Sequence, residues 1–285
     1  MSVPFEKYDG AGNDFVVVDA EHEVPDRAAF AREHCDRETG VVDEAGSRRG
    51  ADGVLFLSLD GEGDPARVTM TLVQPDGSVA EMCGNGIRCV AAWTVARSGA
   101  STVDIDTPAG RRRAVVEPES VAVEMGTPTF DLEAVPLAGD EPLIDTALGE
   151  LDGTPAAGLS VTAVNTGVPH AVVFVGDVDA VQIDAVAPPI RHADAFPEGA
   201  NVTFASPAAD GFRQRTYERG VEGETRACGT GAVAVAAAAR RLGRLPEAAD
   251  GGWISVSPPG GDLGVAVPDD GPARLRGPAA KRFEG

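Results

Sequence analysis

Two stretches of this chain begin with cysteine and continue in the same way. Glu81-Met82-Cys83-Gly84-Asn85-Gly86-Ile87-Arg88 and Arg226-Ala227-Cys228-Gly229-Thr230-Gly231-Ala232 each carry Cys-Gly-x-Gly followed by small apolar residues, the pattern of a thiol at the mouth of a buried helix. A cysteine just before a helix lies near unpaired N–H groups and the positive end of the dipole, which predicts a pKa lowered from about 8.5 toward neutrality. The glycines that follow expose backbone to which a carboxylate can bind. With both helix starts facing one ligand, a carboxylate is held with a sulfur on either side of its α-carbon. One thiolate then removes the α-proton, the opposite thiol supplies another, and the stereocentre inverts.

The elements that must position those thiols are legible as runs. Val3 to Tyr8 and Phe15 to Asp19 read as strands around Gly10-Ala11-Gly12-Asn13-Asp14, with Asn13 presented on the turn. A helix is expected over 26–38 and strands over 54–59 and 68–73. After the first cysteine, Ile87, Val90, Ala91, Thr94 and Val95 recur at helical spacing up to Gly99, and Cys89 falls inside that helix as a small core residue. Strands follow over 103–105, 114–116 and 121–125. Much the same series then returns: Ala171 to Val175, Asn201 to Phe204, Phe212 to Tyr217, the second cysteine with its helix up to Gly243, then Trp253 to Val256 and Leu263 to Val267.

Cys83 and Cys228, Thr107 and Ser257, and Gly126 and Gly277 are each about half the chain apart, the mark of an internal duplication. Strands in runs separated by turns favour an α+β fold over an alternating βαβ one. The expected architecture is two pseudo-symmetric domains, each a bent mixed β-sheet around a central helix. The halves are expected over 1–127, joined by a C-terminal strand within 274–285, and over 128–273. The Pro-, Asp- and Gly-rich stretch 131–157 reads as a linker, and the apolar helix Ala232 to Ala239 should be enclosed on all sides.

Composition narrows the function classes. At 285 residues and 43% hydrophobic the chain can bury a core in each half. A net charge of -21 argues against nucleic acid or anionic membrane as partner, since both call for a basic face. Two lysines, Lys7 and Lys281, stand against 22 arginines; with the acidic surface this points to a halophilic protein, whose self-repulsion is screened in molar salt. The N-terminus lacks a basic segment followed by an apolar one, so a cytoplasmic location is expected. There the four cysteines, Cys35, Cys83, Cys89 and Cys228, should be free thiols; a Cys83–Cys228 structural disulfide is the competing reading. Neither lysine suits a pyridoxal Schiff base, the histidines are scattered and no C-x-x-C occurs, and Gly10-Ala11-Gly12 lacks the rest of a dinucleotide fingerprint. No cofactor and no metal are expected.

Taken together, Gly10-Ala11-Gly12-Asn13-Asp14-Phe15, Asp76-Gly77-Ser78, Cys83 to Cys89, Pro169-His170, Ala200-Asn201-Val202, Tyr217-Glu218-Arg219-Gly220 and Glu224 to Gly231 closely resemble the diaminopimelate epimerase family over essentially the whole chain. The resemblance implies a cofactor-independent interconversion of LL- and meso-2,6-diaminoheptanedioate, a step toward lysine, with Cys83 and Cys228 as the acid/base pair. It implies substrate binding by Asn13, Gln74, Gly84, Asn85, Asn201, Glu218, Arg219, Gly229 and Thr230, with His170 and Glu218 assisting the cysteines. Arginine suits a bidentate grip on carboxylate and glutamate suits an ammonium. By residue type alone, Asn13 can equally hold its turn, Asn201 cap a strand, His170 be a core histidine, and Glu218 and Arg219 form an ion pair.

Three positions depart from the family pattern. Gln74 stands where asparagine is usual, Val168 where many members have asparagine, and Gly53 where some have glutamine. Recognition of the distal end of the substrate is where the departures at Gln74 and Val168 fall, and Gly53 leaves one contact unassigned. The partner expected is a small molecule, the assembly a homodimer. Competing functions are a proline or hydroxyproline racemase of the same fold, a phenazine-type isomerase, which would not carry both cysteines, and a non-enzymatic binding protein.

Overall fold

The computed structural model describes residues 3–43, 46, 48–61, 63–246 and 252–285. The chain divides into two units, residues 1–124 with 276–285, and residues 125–275.

In the first unit β1 (Glu6–Gly10) and β2 (Asn13–Asp19) form an antiparallel hairpin with Gly10 opposite Asn13. Its two loop residues, Ala11 and Gly12, have φ of 55° and 85°, the geometry that matches the twist of the flanking strands. α1 (Arg27–Cys35), capped by the Asp26 side chain on the Ala29 N–H, crosses to β3 (Gly53–Leu59), which runs parallel to β2. This helix is shorter than the span 26–38, because Asp26 caps it and the Asp36 side chain accepts N–H groups from Glu38 and Thr39 in a turn of its own. β4 (Ala66–Val73) and β5 (Val79–Ala80) continue antiparallel. Then comes α2 (Gly84–Ser98), ended by Gly99 at φ 70°. β6 (Thr102–Thr107) lies parallel to β4, and β7 (Gly110–Val116) and β8 (Val121–Gly126) follow as a meander.

The second unit repeats that series. β9 (Thr146–Ala147) and β10 (Ser160–Asn165) lead to β11 (Pro169–Phe174), antiparallel to β10. α3 (Ile183–Arg191) crosses to β12 (Asn201–Ala208), parallel to β11. β13 (Gly211–Glu218) and β14 (Gly223–Thr225) precede α4 (Gly229–Arg241). β15 (Trp253–Ser257) lies parallel to β13, and β16 (Leu263–Ala266) and β17 (Ala273–Gly277) follow. The chain then returns to the first unit as β18 (Ala280–Glu284), antiparallel to β1. Each unit is thus a mixed sheet around one buried helix, and the matched pairs β2/β3 with β11/β12 and β4/β6 with β13/β15 carry the internal duplication.

All eight residues of the apolar run 232–239 are buried. The stretch 131–157 is packed rather than linking: Val135, Leu151 and Ala156 are fully buried in the core of the second unit, so its proline and glycine content serves turns inside a folded segment. α3 carries Pro188 and Pro189 in its last turns, where each ring removes an N–H but the apolar face of Ile183, Ala187 and Ile190 is buried and sustains the helix. Among the described residues no helix is long and apolar enough to cross a membrane.

Candidate active site

Each cysteine is the cap residue of the central helix of its own unit, with extended backbone at φ -146° for Cys83 and -119° for Cys228. All four cysteines are free thiols. Burial pushes the thiols of Cys35 and Cys89 up to about 12, which leaves them protonated and inert.

Around Cys83, which is half-buried, the sulfur accepts the Gly86 N–H at 3.5 Å. The hydrogen bonds beside it have a fixed polarity. Arg88, fully buried in α2, donates to the side-chain oxygen of Asn85 at 2.8 Å. A guanidinium can only donate, so the Asn85 amide nitrogen turns to Asn13 and donates to its Oδ1. The Asn13 amide in turn donates to Asp52 at 2.9 Å. Asp52 is held by Arg37 and Arg48, which also bind Asp14, and Asp14 pairs with Lys7 at 2.8 Å. A Cβ on Gly10 would come within 3.1 Å of both the Asn85 carbonyl and the Cys89 sulfur, so the hairpin approaches α2 closely only because that position is glycine.

Around Cys228, which is 6% exposed, the surroundings differ. Its sulfur is 3.4 Å from the Thr230 hydroxyl, and the Thr230 hydroxyl is 3.0 Å from His170 Nε2. Asn201 Nδ2 lies 3.4 Å from the same nitrogen, while Asn201 Oδ1 accepts the Arg219 N–H at 2.7 Å. Glu218, at the end of β13, accepts from the Thr225 hydroxyl. Desolvation raises the Glu218 carboxyl above its ordinary value, against the hydrogen bonds of Thr225 and Cys228. The Cys228 thiol is likewise pushed well above its ordinary value, by burial first and the Glu218 carboxylate second. This reverses the lowered pKa expected at that helix mouth: a helix terminus stabilises a thiolate by roughly 1–2 kcal/mol, which full desolvation beside a carboxylate exceeds.

The candidates named from the sequence fall into two clusters, one per unit. Asn13, Gly84 and Asn85 gather at Cys83. Asn201, Glu218, Gly229, Thr230 and His170 gather at Cys228. Gln74 joins neither: exposed, it donates to Ser78 Oγ at 2.9 Å within its own turn. Glu218 and Arg219 make no ion pair with each other; the guanidinium meets the carbonyls of Glu198 and Gly199 at 3.3 and 3.4 Å. Gly53 has no space for a longer side chain, since a Cβ there would meet Leu72 Cδ1 at 2.7 Å and the Val73 carbonyl at 3.2 Å. Asn13 ties its turn to α2, and His170 is a fully buried histidine that also reaches the cysteine environment through Thr230. Sequence reasoning missed Arg88, Asp52, Thr203, Gln214 and Thr216. The last three carry a signal in their spacing, since 201, 203 and 214, 216 are polar positions at strand period on inward faces.

His170 yields one prediction. Burial, with the nearby Arg219 charge adding to it, lowers its pKa from 6.5 to about 3. The folded chain therefore holds the imidazole neutral, and the stability this represents is complete above about 6.5 and lost as pH falls from there toward 3. Chemical denaturation at pH 7 and 4.5 should show a loss on the order of 2–3 kcal/mol assignable to this group. His170→Gln should remove that increment of acid sensitivity whatever its effect at pH 7; an unchanged difference between the two pH values would disprove the assignment.

Compared with known proteins, the chain matches the family profile described as diaminopimelate epimerase over residues 5–130 and 162–281. It is 42% identical over 295 residues to the diaminopimelate epimerase of Methanocella arvoryzae, covering 99% of this chain and 96% of that protein. With the diaminopimelate epimerase of Archaeoglobus fulgidus it is 39% identical over 293 residues, covering 100% and 96%. Among solved structures, a predicted epimerase from Pseudomonas aeruginosa superposes with a TM-score of 0.68 at 18% identity, covering 100% of this chain and 98% of that one. A hydroxyproline epimerase from Agrobacterium vitis gives 0.56 at 16%, covering 99% and 90%. These structural likenesses speak to the fold. With the profile spanning most of both units and two relatives near 40% identity over nearly their whole length, the chain belongs to the diaminopimelate epimerase family.

Proposed function

We propose that the chain interconverts LL- and meso-2,6-diaminoheptanedioate without a cofactor, as a step of lysine biosynthesis, with Cys83 and Cys228 as its acid/base pair. The observation that carries this reading is the repetition of one device in both units: a cysteine as cap residue of a buried central helix, with glycine next, at a helix N-terminus whose positive end favours an anion. One cysteine removes the α-proton and the other supplies a new one, so that the stereocentre inverts. Asn13, Asn85, Asn201, Thr230 and the first residues of α2 and α4 hold the reacting amino acid; Arg219 and Glu218 supply charge for a carboxylate and an ammonium. Lys7 is engaged in a buried pair with Asp14 and Lys281 with Glu6 and Glu284, so both lysines already serve the fold.

The deciding experiment is α-proton exchange. LL-diaminopimelate in heavy water, with no added cofactor, should take up deuterium and yield the meso isomer. Proline or hydroxyproline exchanging in its place would transfer the reading to the racemases of this fold, and no exchange with either would leave a binding protein. Mild oxidation is a separate check on the pairing: peptide mapping is expected to show Cys83 linked to Cys228, reversibly and with loss of activity, while Cys35 and Cys89 stay reduced. An inactive oxidised form lacking that cross-link would remove the requirement that both sulfurs reach one carbon.

A further inference from the structure

A closed ring of polar side chains lies beneath the first turn of α4. From Cys228 Sγ it passes to Thr230 Oγ1 at 3.4 Å and His170 Nε2 at 3.0 Å. From His170 Nδ1 it continues to Thr203 Oγ1 at 3.1 Å and Thr216 Oγ1 at 3.3 Å. Gln214 Nε2 closes it, donating to Thr216 Oγ1 at 3.0 Å and to the Cys228 carbonyl at 3.1 Å. Sheet register builds the ring: Thr203 is the cross-strand partner of Thr216, and His170 of Asn201. His170, Thr203, Gln214 and Thr216 are all buried. Gly231 makes the room, since a Cβ there would stand 2.9 Å from Gln214 Nε2, 3.1 Å from Thr216 Oγ1 and 3.2 Å from Thr203 Oγ1. This is a different role from the exposed backbone expected of the cysteine-motif glycines.

Hydroxyls and a neutral imidazole can each point either way, but the two amides that meet the ring cannot. The Cys228 carbonyl only accepts, which places the Gln214 nitrogen, not its oxygen, against the ring. The Gln214 oxygen is left buried with no hydrogen-bond partner, a cost of roughly 1–3 kcal/mol that the opposite orientation would not relieve, because it would set that oxygen against the carbonyl. At the other end the Arg219 N–H only donates, so it holds Asn201 Oδ1 and turns the Asn201 NH2 to His170 Nε2. A donor facing Nε2 makes that nitrogen an acceptor, and the imidazole proton is then on Nδ1, donated to Thr203. Thr203 donates on to Thr216, which also accepts from Gln214. The one lone pair of Nε2 is shared between the Asn201 NH2 at 3.4 Å and, more closely, the Thr230 hydroxyl at 3.0 Å, so what Thr230 presents to the Cys228 sulfur is a lone pair. A lone pair accepts from S–H and repels a thiolate.

We propose that Asn201, fixed by the Arg219 N–H, and Thr203, backed by Thr216 and Gln214, are positioning residues that lock His170 in its Nδ1–H tautomer and, through Thr230, help hold Cys228 as the proton-donating thiol of the resting enzyme. This rests on the reading of Cys228 as an acid/base group and adds to it a reason for its protonation state. Two other groups meet the Cys228 sulfur: the Glu218 carboxyl, which favours the thiol with Thr230, and the Gly231 N–H, which favours the thiolate; Glu218 and Arg219 are the charged groups that bear on Cys228 and His170. Thr203 hydrogen-bonds to neither, so a substitution there moves only the His170 arm.

Two measurements on the full chain test this. In protein labelled with nitrogen-15 at histidine, the His170 ring signals, assigned by their loss in His170→Gln, should show a protonated Nδ1 and an unprotonated Nε2. The alkylation rate of Cys228 by iodoacetamide, followed by peptide mass spectrometry across pH, should then respond to Thr203→Val. Nδ1 loses its acceptor, the proton moves to Nε2 and is donated to the closer Thr230 oxygen at the expense of the 3.4 Å Asn201 contact, the Thr230 hydroxyl turns to the sulfur, and alkylation at neutral pH rises about tenfold or more, a drop of about one unit in the midpoint. Thr203→Ser should restore the parent profile, and the Cys83 profile should be the same in all three proteins. An Nε2–H signal in the parent protein overturns the proposal even if the valine variant does not fold, as does a Cys228 midpoint unmoved in a folded one. Failure of α-proton exchange with an Nδ1–H histidine would instead overturn the proposed reaction and leave the hydrogen-bond assignment standing.

Discussion

Cys83→Ala and Cys228→Ala are each expected to lower kcat/KM for epimerisation by about 10³-fold or more, about 4 kcal/mol of transition-state stabilisation. A methyl group carries no proton, and the other acid already described, the Glu218 carboxyl raised by burial, stands beside Cys228. Arg88 and the asparagines near Cys83 are donors or neutral amides. Glu218 near Cys228 has its carboxyl engaged by Thr225. Cys228→Ala should not be inert, however. The remaining Cys83 can still take the α-proton and return a solvent deuteron on the same side, so label enters without inversion. Comparing deuterium uptake with change of configuration, isomer by isomer, separates loss of one proton carrier from loss of substrate binding. Normal epimerisation by either variant would show that its cysteine is not one of the pair.

The second large effect is on stability. Lys7 is 2% exposed and Asp14 4%, and Asp14 also accepts from Arg37 at 2.8 Å and Arg48 at 3.1 Å. Burial works to raise the Asp14 carboxyl, but Arg37 and Lys7 more than offset it and hold it below the usual carboxylate range. Asp14→Asn leaves a buried ammonium without its counter-ion and should cost about 3–5 kcal/mol, a fall in Tm on the order of 10 °C. Lys7→Met leaves Asp14 with two guanidiniums and should cost under about 2 kcal/mol. Denaturant titrations of the two variants read this asymmetry, and equal losses would mean that Lys7 and Asp14 are worth no more to each other than a surface pair. Asp52 shares both arginines with Asp14 and orients Asn13, so Asp14→Asn should also weaken substrate binding.

The cysteine motifs, the duplication and the central helices were legible because each depends on local order: a thiol, glycines, then an apolar run at helical spacing. The direction of the Cys228 pKa was not. Spacing shows that a helix begins at Cys228, but not that the folded sheet seals the sulfur from water beside Glu218. Gln74 illustrates the same limit, since a residue type suited to a ligand spends its amide on Ser78, four positions away. Proline at 188 and 189 concealed α3, whose stability comes from the face it buries rather than from propensity. Asn201, Thr203, Gln214 and Thr216 alternate along their strands as the apolar core residues do, but polar alternation on an inward face has meaning only once a helix with a glycine at 231 lies on it.

The pairing of β1 with β18 has a consequence on the ribosome. Residues from both ends of the described chain complete the first unit, while about 150 residues of the second unit are translated between them. At about 5–20 residues per second, β1 emerges and then waits on the order of ten seconds or more with one backbone edge unpaired. The second unit has all its strands by then and can close first. The nascent chain thus exposes an open strand edge for most of its synthesis, a surface on which it can be caught by another copy or protected by a chaperone.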